Sequence, residues 1–129
     1  MVLAAEDDDA ASAIIDRAEA TFGADDYCQF CGIMFAVPAM IALSRMGEPE
    51  HARHYRDIAE ASSQLWDGTA WQAALDEARA HLAFDGGDPD AARFALRAAR
   101  EFEGAGQPLD AARCRALAPE LARGAVVPP

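Results

Sequence analysis

Lysine is absent from this chain: all eleven of its basic residues are arginine, and 22 acids outnumber them for a formal net charge of −11. Such an excess repels phosphate backbones, so direct nucleic-acid binding is not expected. Valine and threonine are scarce while alanine fills 32 positions. No segment alternates apolar and polar residues for more than a few positions, which excludes sheet and leaves helix throughout. Long apolar runs are missing as well. The run from Ile33 to Leu43 contains Pro38 and is too short to cross a bilayer. The start MVLAAEDDDA lacks a positive segment ahead of its apolar residues, which argues against a signal peptide and for a cytoplasmic protein. The three cysteines leave one unpaired under any disulfide scheme, in keeping with reduced thiols. Gly-rich phosphate loops, nucleophile elbows and carboxylate pairs with a partner base are also missing, so neither an enzyme nor a cofactor is expected.

What is present is helix punctuation. The 129 residues suffice for one domain that buries roughly two thirds of its unfolded surface without a metal or disulfide staple. Asp26 with Gln29 and Thr69 with Gln72 have capping-box spacing. Gly47-Glu48-Pro49, Gly87-Asp88-Pro89 and Gly106-Gln107-Pro108 each place Gly past one helix end and Pro at the start of the next. These signals predict helices over 5–22, 27–46, 49–65, 70–84, 89–103 and 108–118, in a single helical-repeat domain spanning 1–118 with a tail over 119–129.

Gly47-Glu48-Pro49-Glu50-His51-Ala52-Arg53 and Gly87-Asp88-Pro89-Asp90-Ala91-Ala92-Arg93 superimpose 40 residues apart (87 minus 47). A looser copy from Gly106 carries Asp110-Ala111-Ala112-Arg113. Two helices recurring at that period predict an α-solenoid of about three helical hairpins, tetratricopeptide-like, in which each hairpin buries its apolar face against its neighbours. Acids crowd the first thirty residues and read as a solvated, solubilising face. In the first helix Ala11, Ile14, Ile15, Ala18 and Phe22 are expected to turn inward.

Cys28 and Cys31 form a C-x-x-C, and His51 and His54 an H-x-x-H. Zinc requires four donors about 2.0–2.3 Å from one point. An antiparallel hairpin turning at Gly47 carries the cysteines roughly 25 Å back along helix 2 and the histidines only about 8 Å along helix 3, so a shared ion is not expected. A redox site gains from the helix start at Cys28 but loses to Asp25 and Asp26, and no βαβ pattern surrounds it. Beside Phe30, Ile33, Met34, Phe35, Val37, Met40 and Ile41, both cysteines are expected in the core, as are Leu75 and Phe94. His81 is expected to return near His51 and His54 as a rim histidine, with Trp66 and Trp71 locking adjoining hairpins.

The C-x-x-C entering "FAVPAMIALSRMGEPEHAR", with "LWDGTAWQAALDEARAHLA" and "GDPDAARFALRAAREFEGAGQPLDAARCRAL", resembles the C-terminal tetratricopeptide-like region of actinobacterial LuxR-type large ATP-binding transcriptional regulators. The likeness covers about residues 12–118. It implies a sensor or docking arm; ATP and DNA binding are not implied, since no nucleotide-binding loop is present and "APELARGAVVPP" is too short for a DNA-reading domain. The expected function is therefore a non-enzymatic interaction module in transcriptional regulation, taking a protein partner or small effector. The alternative is a zinc-responsive or thiol-based sensor using Cys28 and Cys31 or the histidine end. Leu109, Ala112, Ala116 and Leu117 form a C-terminal stripe that helix 5 cannot fully cover. It is the expected contact surface, for a partner or a second copy in a homodimer, unless Leu121, Val126 and Val127 fold over it.

Overall fold

A computed structural model describes residues 2–4, 7–22 and 28–124, and these form an all-α protein. After a 3-10 turn, Val2–Ala4, come α1 (Asp8–Phe22), α2 (Gly32–Arg45), α3 (Pro49–Ser63), α4 (Ala70–Asp85), α5 (Ala91–Gly104) and α6 (Pro108–Gly124). No strand occurs among the described residues, and no helix there is long and apolar enough to cross a membrane.

The glycine signals work as the spacing predicts. Gly47 and Gly87 adopt φ of 72° and 71°, a left-handed conformation that side-chain-bearing residues resist. After each, the next N–H reaches five residues back, from Glu48 to the Leu43 carbonyl (2.9 Å) and from Asp88 to that of Ala83 (2.8 Å). Gln107 repeats the bond to Phe102 at 2.8 Å. Thr69 caps α4, its side chain accepting the Trp71 N–H; Asp26 of the other proposed capping box lies outside the described residues. At α5 the Asp88 carboxylate takes the Asp90 N–H (2.8 Å), which holds Pro89 in a turn and delays the helix to Ala91.

Two boundaries differ more substantially. Helix 2 starts at Gly32, not 27, because the Phe30 carbonyl that would accept the Met34 N–H is taken by the Trp66 indole (2.8 Å) and the Ser62 hydroxyl (3.3 Å). The Met34 N–H turns to Cys31 instead (3.0 Å). At the other end, the expected tail begins as helix: α6 runs through Pro119 to Gly124. Proline removes one hydrogen bond there, and the burial of Leu121 on the same face as Cys114 and Ala118 offsets it.

Consecutive helices pack side by side, and α4 additionally lies along α2 and touches α6. The main core joins α1 to α4 around Ile15, Ile33, Met40, Leu43, Tyr55 and Leu75. Two smaller clusters bind α4, α5 and α6, built mostly from alanine with Phe102, Cys114 and Leu121. Such small side chains let helix axes approach closely. Trp66 and Trp71 pack half-buried against the main core. Several expected core residues lie outside it: Phe22, Phe30 and Met34 are 58%, 51% and 41% exposed, Cys28 and Cys31 are exposed as well, and Phe94 is only half-buried. Phe22 sits in the last turn of a helix with only Ala11 and Ile15 fully covered.

Candidate functional site

The side chains that organise the second half of the chain are two consecutive acids on α4. Asp76 is 2% exposed, and Arg97 of α5 grips both of its oxygens, Nε to Oδ2 and Nη2 to Oδ1, each at 2.5 Å. Arg79, one turn further along α4, adds a bond at 2.7 Å and reaches Glu60 of α3 with its other nitrogen at 3.2 Å. Burial alone would raise the Asp76 carboxyl, but the two guanidinium groups hold it below its ordinary range. Glu77 points the other way and receives a fork from Arg113 of α6, at 2.9 and 2.7 Å. Paired two-bond contacts of this kind fix orientation as well as distance. Adjacent acids thus clasp α5 and α6 to one helix.

The first clasp also sets the surface above it. A groove of about 380 Å³ opens between α3, α4 and α5, lined by the apolar Leu82, Ala83 and Phe94, by Arg53, Arg56 and Arg79, and by the carboxylates Glu60 and Asp88. A second, of about 340 Å³, adjoins it on α5 and shares Phe94; Arg93, Arg97, Arg100 and Leu96 line it. Six of the eleven arginines therefore line two grooves that share one aromatic ring. Arg97 lies over that ring at 5.2 Å, fixed by Asp76 beneath. Arg100 has no carboxylate partner among the described residues. Among the described residues Arg53 and Arg56 pair only with Glu50 and Asp57 on α3, and Arg93 only with Asp90 just ahead of α5. Exposed pairs of that type contribute little and yield readily to a better-placed anion. Sequence reasoning missed this surface. The signal was the spacing of Arg93, Arg97 and Arg100, which puts three cations on one helical face.

Beside the clasp, Glu101 of α5 has a buried Oε2 without a hydrogen-bond partner. Burial, together with the negative Asp76, pushes its carboxyl up to about 7. Since that exceeds the ordinary 4.5, the folded chain keeps a proton that the unfolded chain releases, and stability falls as pH rises from about 4.5 to 7. Asp76 acts oppositely at lower pH: its stabilisation is lost as pH falls through its depressed value. Thermal melts between pH 5 and 8 are expected to show Glu101→Gln gaining about 1 kcal/mol over the wild type at pH 8 and nothing at pH 5. A constant difference across that range would contradict the assignment.

The residues singled out by sequence have varied placements. Cys28 and Cys31 are exposed, which corrects the expectation of core packing; Cys114 is the buried cysteine. The turn carrying the first two stands off the core because Phe30 is latched to the end of α3. His51 faces Glu19 of α1, whose Oε1 accepts from both its Nε2 (2.5 Å) and the Tyr55 hydroxyl (2.7 Å). Burial raises the Glu19 carboxyl, but those two bonds and the nearby histidines bring it below its ordinary value. His54 packs edge-on against Tyr55. His81 instead borders a hollow of about 540 Å³ between the ends of α2, α4 and α6. Burial, with Arg45 and Arg113 nearby, lowers its imidazole to about 4 and keeps it neutral. Among the described residues no group of three or more His, Cys, Asp or Glu could hold a metal ion. Along α6, Leu109 is 85% exposed and Ala112 and Ala116 are exposed too, whereas Leu117 turns half-buried into that same hollow. Leu121 is buried on the inner face of α6, and Val126 and Val127 lie outside the described residues.

Compared with protein-family models, curated proteins and solved structures, the chain matches none of them.

Proposed function

We propose that this chain is a non-enzymatic, cytoplasmic interaction module, a short α-solenoid of the kind that serves as the sensor or docking arm of a transcriptional regulator, and that its arginine-ringed grooves hold an acidic peptide segment. The solenoid reading rests on the 40-residue period and on the packing of α2 along α4. The regulatory context rests on the resemblance in sequence. What carries the docking proposal is Phe94, an aromatic anchor shared by two adjoining grooves that six arginines line. Aromatic residues and arginine dominate binding energy at protein interfaces, and planar guanidinium groups match carboxylates in two-point contacts. The net charge of −11 does not forbid such a partner, because exposed charges beyond about 8 Å are screened at physiological salt.

A fluorescein-labelled peptide of alternating Glu and Leu supplies a probe. Fluorescence anisotropy is expected to report binding that weakens with salt and falls about ten- to a hundredfold in the Arg93→Glu, Arg100→Glu double variant. Neither residue takes part in the clasp on Asp76, so the fold is retained. Equal binding by both proteins would contradict the proposal. The exposure of Leu109 favours a second reading, in which the α6 stripe of Leu109, Ala112 and Ala116 receives another copy of this chain.

A further inference from the structure

The C-x-x-C, set aside as core in the sequence, has the placement of a reactive pair. Both thiols are exposed. The Gly32 N–H donates to the Cys28 carbonyl at 2.8 Å, so residues 28–31 form a single helical turn. The Cα atoms at i and i+3 of such a turn lie about 5 Å apart, inside the Cα separation that a disulfide spans. Cys28 opens this turn, and Cys31 stands at the N-cap of α2. Hydrogen bonding from the backbone of Cys31 and Phe30 and from the Cys31 thiol draws the Cys28 pKa below its ordinary value, while Cys28 pushes that of Cys31 up. Cys114 supplies the contrast: buried, with Glu77 nearby, it is pushed up to about 12.

Between the two cysteines sits Phe30. Its ring stacks on Trp66 at 4.5 Å between centroids, and its carbonyl receives the Trp66 indole N–H and the Ser62 hydroxyl. The pair therefore lies on the latch that joins the start of α2 to the end of α3.

We propose that Cys28 and Cys31 form a reversible dithiol–disulfide couple whose substrate is a low-molecular-weight disulfide, with Cys28 as the attacking sulfur and the Phe30–Trp66 latch as the reporting element. The Cys28 thiolate attacks one sulfur of RS–SR, forming a mixed disulfide and releasing RS⁻, which takes up a proton. The Cys31 sulfur, giving up its proton, then attacks Cys28, forming the Cys28–Cys31 bond and releasing the second RSH. Two thiols are oxidised and one disulfide is reduced to two RSH, so electrons and protons balance. This site is separate from the arginine grooves and does not depend on them.

The test exposes the full chain to oxidised glutathione and follows it by intact mass, peptide mapping and tryptophan emission. The expected product has lost two hydrogens, carries no stable glutathione, and contains a Cys28–Cys31 disulfide with Cys114 still free. The Cys31→Ser variant is expected to accumulate a glutathione adduct on Cys28. Cys28→Ser, with only Cys31 left in the turn, should react about tenfold more slowly. Both substitutions are at exposed positions, and retained helical circular dichroism confirms folding. Oxidation should change the emission, dithiothreitol should restore it, and Trp66→Phe should abolish the change. Thiols that stay reduced, stable adducts on both cysteines, linked dimers, or equal rates for the two serine variants would each overturn the couple. An emission that does not respond would overturn its connection to the latch.

Discussion

Asp76→Ala is expected to destabilise the protein by about 3–5 kcal/mol, the cost of stranding a buried charge network whose centre has been removed. Arg97 loses both of its acceptors, and Arg79 keeps only the longer contact to Glu60. Some relief comes from Glu101, which lies one turn from Arg97 and is held protonated partly by Asp76 itself; without that neighbour it ionises more readily. Urea denaturation at pH 7 measures the loss. Replacing both partners with apolar residues, as in Asp76→Leu with Arg97→Met, is expected to recover most of it, because no uncompensated charge then remains. A midpoint unchanged by Asp76→Ala would remove the clasp from the account. Recovery by the double variant should still abolish the Arg97 contact over Phe94, which separates stability from the shape of the groove.

Leu75→Ala is the second large effect, at about 2–5 kcal/mol. Leu75 is fully buried where α4 meets the core shared with α2 and α3, and close-packed surroundings relax only partly around a cavity. Cys31→Ala, at an exposed position, is expected to change stability by less than about 0.5 kcal/mol under the same denaturation. Similar costs at the two positions would show that the core is misplaced.

The all-helical fold was legible because its signals are local. A glycine in the left-handed region, a proline beyond it and a threonine cap act within a few residues, and they fall where the chain turns. The boundaries that shifted depend on distant groups. Nothing near Phe30 in the sequence reveals that Trp66 and Ser62, over thirty residues on, will take its carbonyl. That one tertiary contact both shortened helix 2 and brought Cys28 and Cys31 to the surface. Pro119 likewise reads as a stop until Leu121 is seen to be buried beyond it. At the C-terminal stripe the exposure of Leu109, Ala112 and Ala116 follows the helical spacing, but Leu117 falls a quarter turn aside and faces the hollow beside His81. The arginine surface was hidden for a different reason. Net charge averages over the whole chain, whereas the six cations gather only when α3, α4 and α5 come side by side. Asp76 and Glu77, which between them hold Arg79, Arg97 and Arg113, are ordinary helix residues in sequence. Their role arises from burial against partners that come from α5 and α6.

The proposed acidic segment would sit on the surface around Phe94. The most direct measurement is a titration of the ¹⁵N-labelled chain with the Glu/Leu peptide at physiological salt, followed by amide chemical shifts. The account predicts saturable changes concentrated at Leu82, Ala83, Phe94, Leu96 and Arg100. Absence of saturable change at millimolar peptide, or changes confined to Leu109, Ala112 and Ala116 on α6, would contradict it.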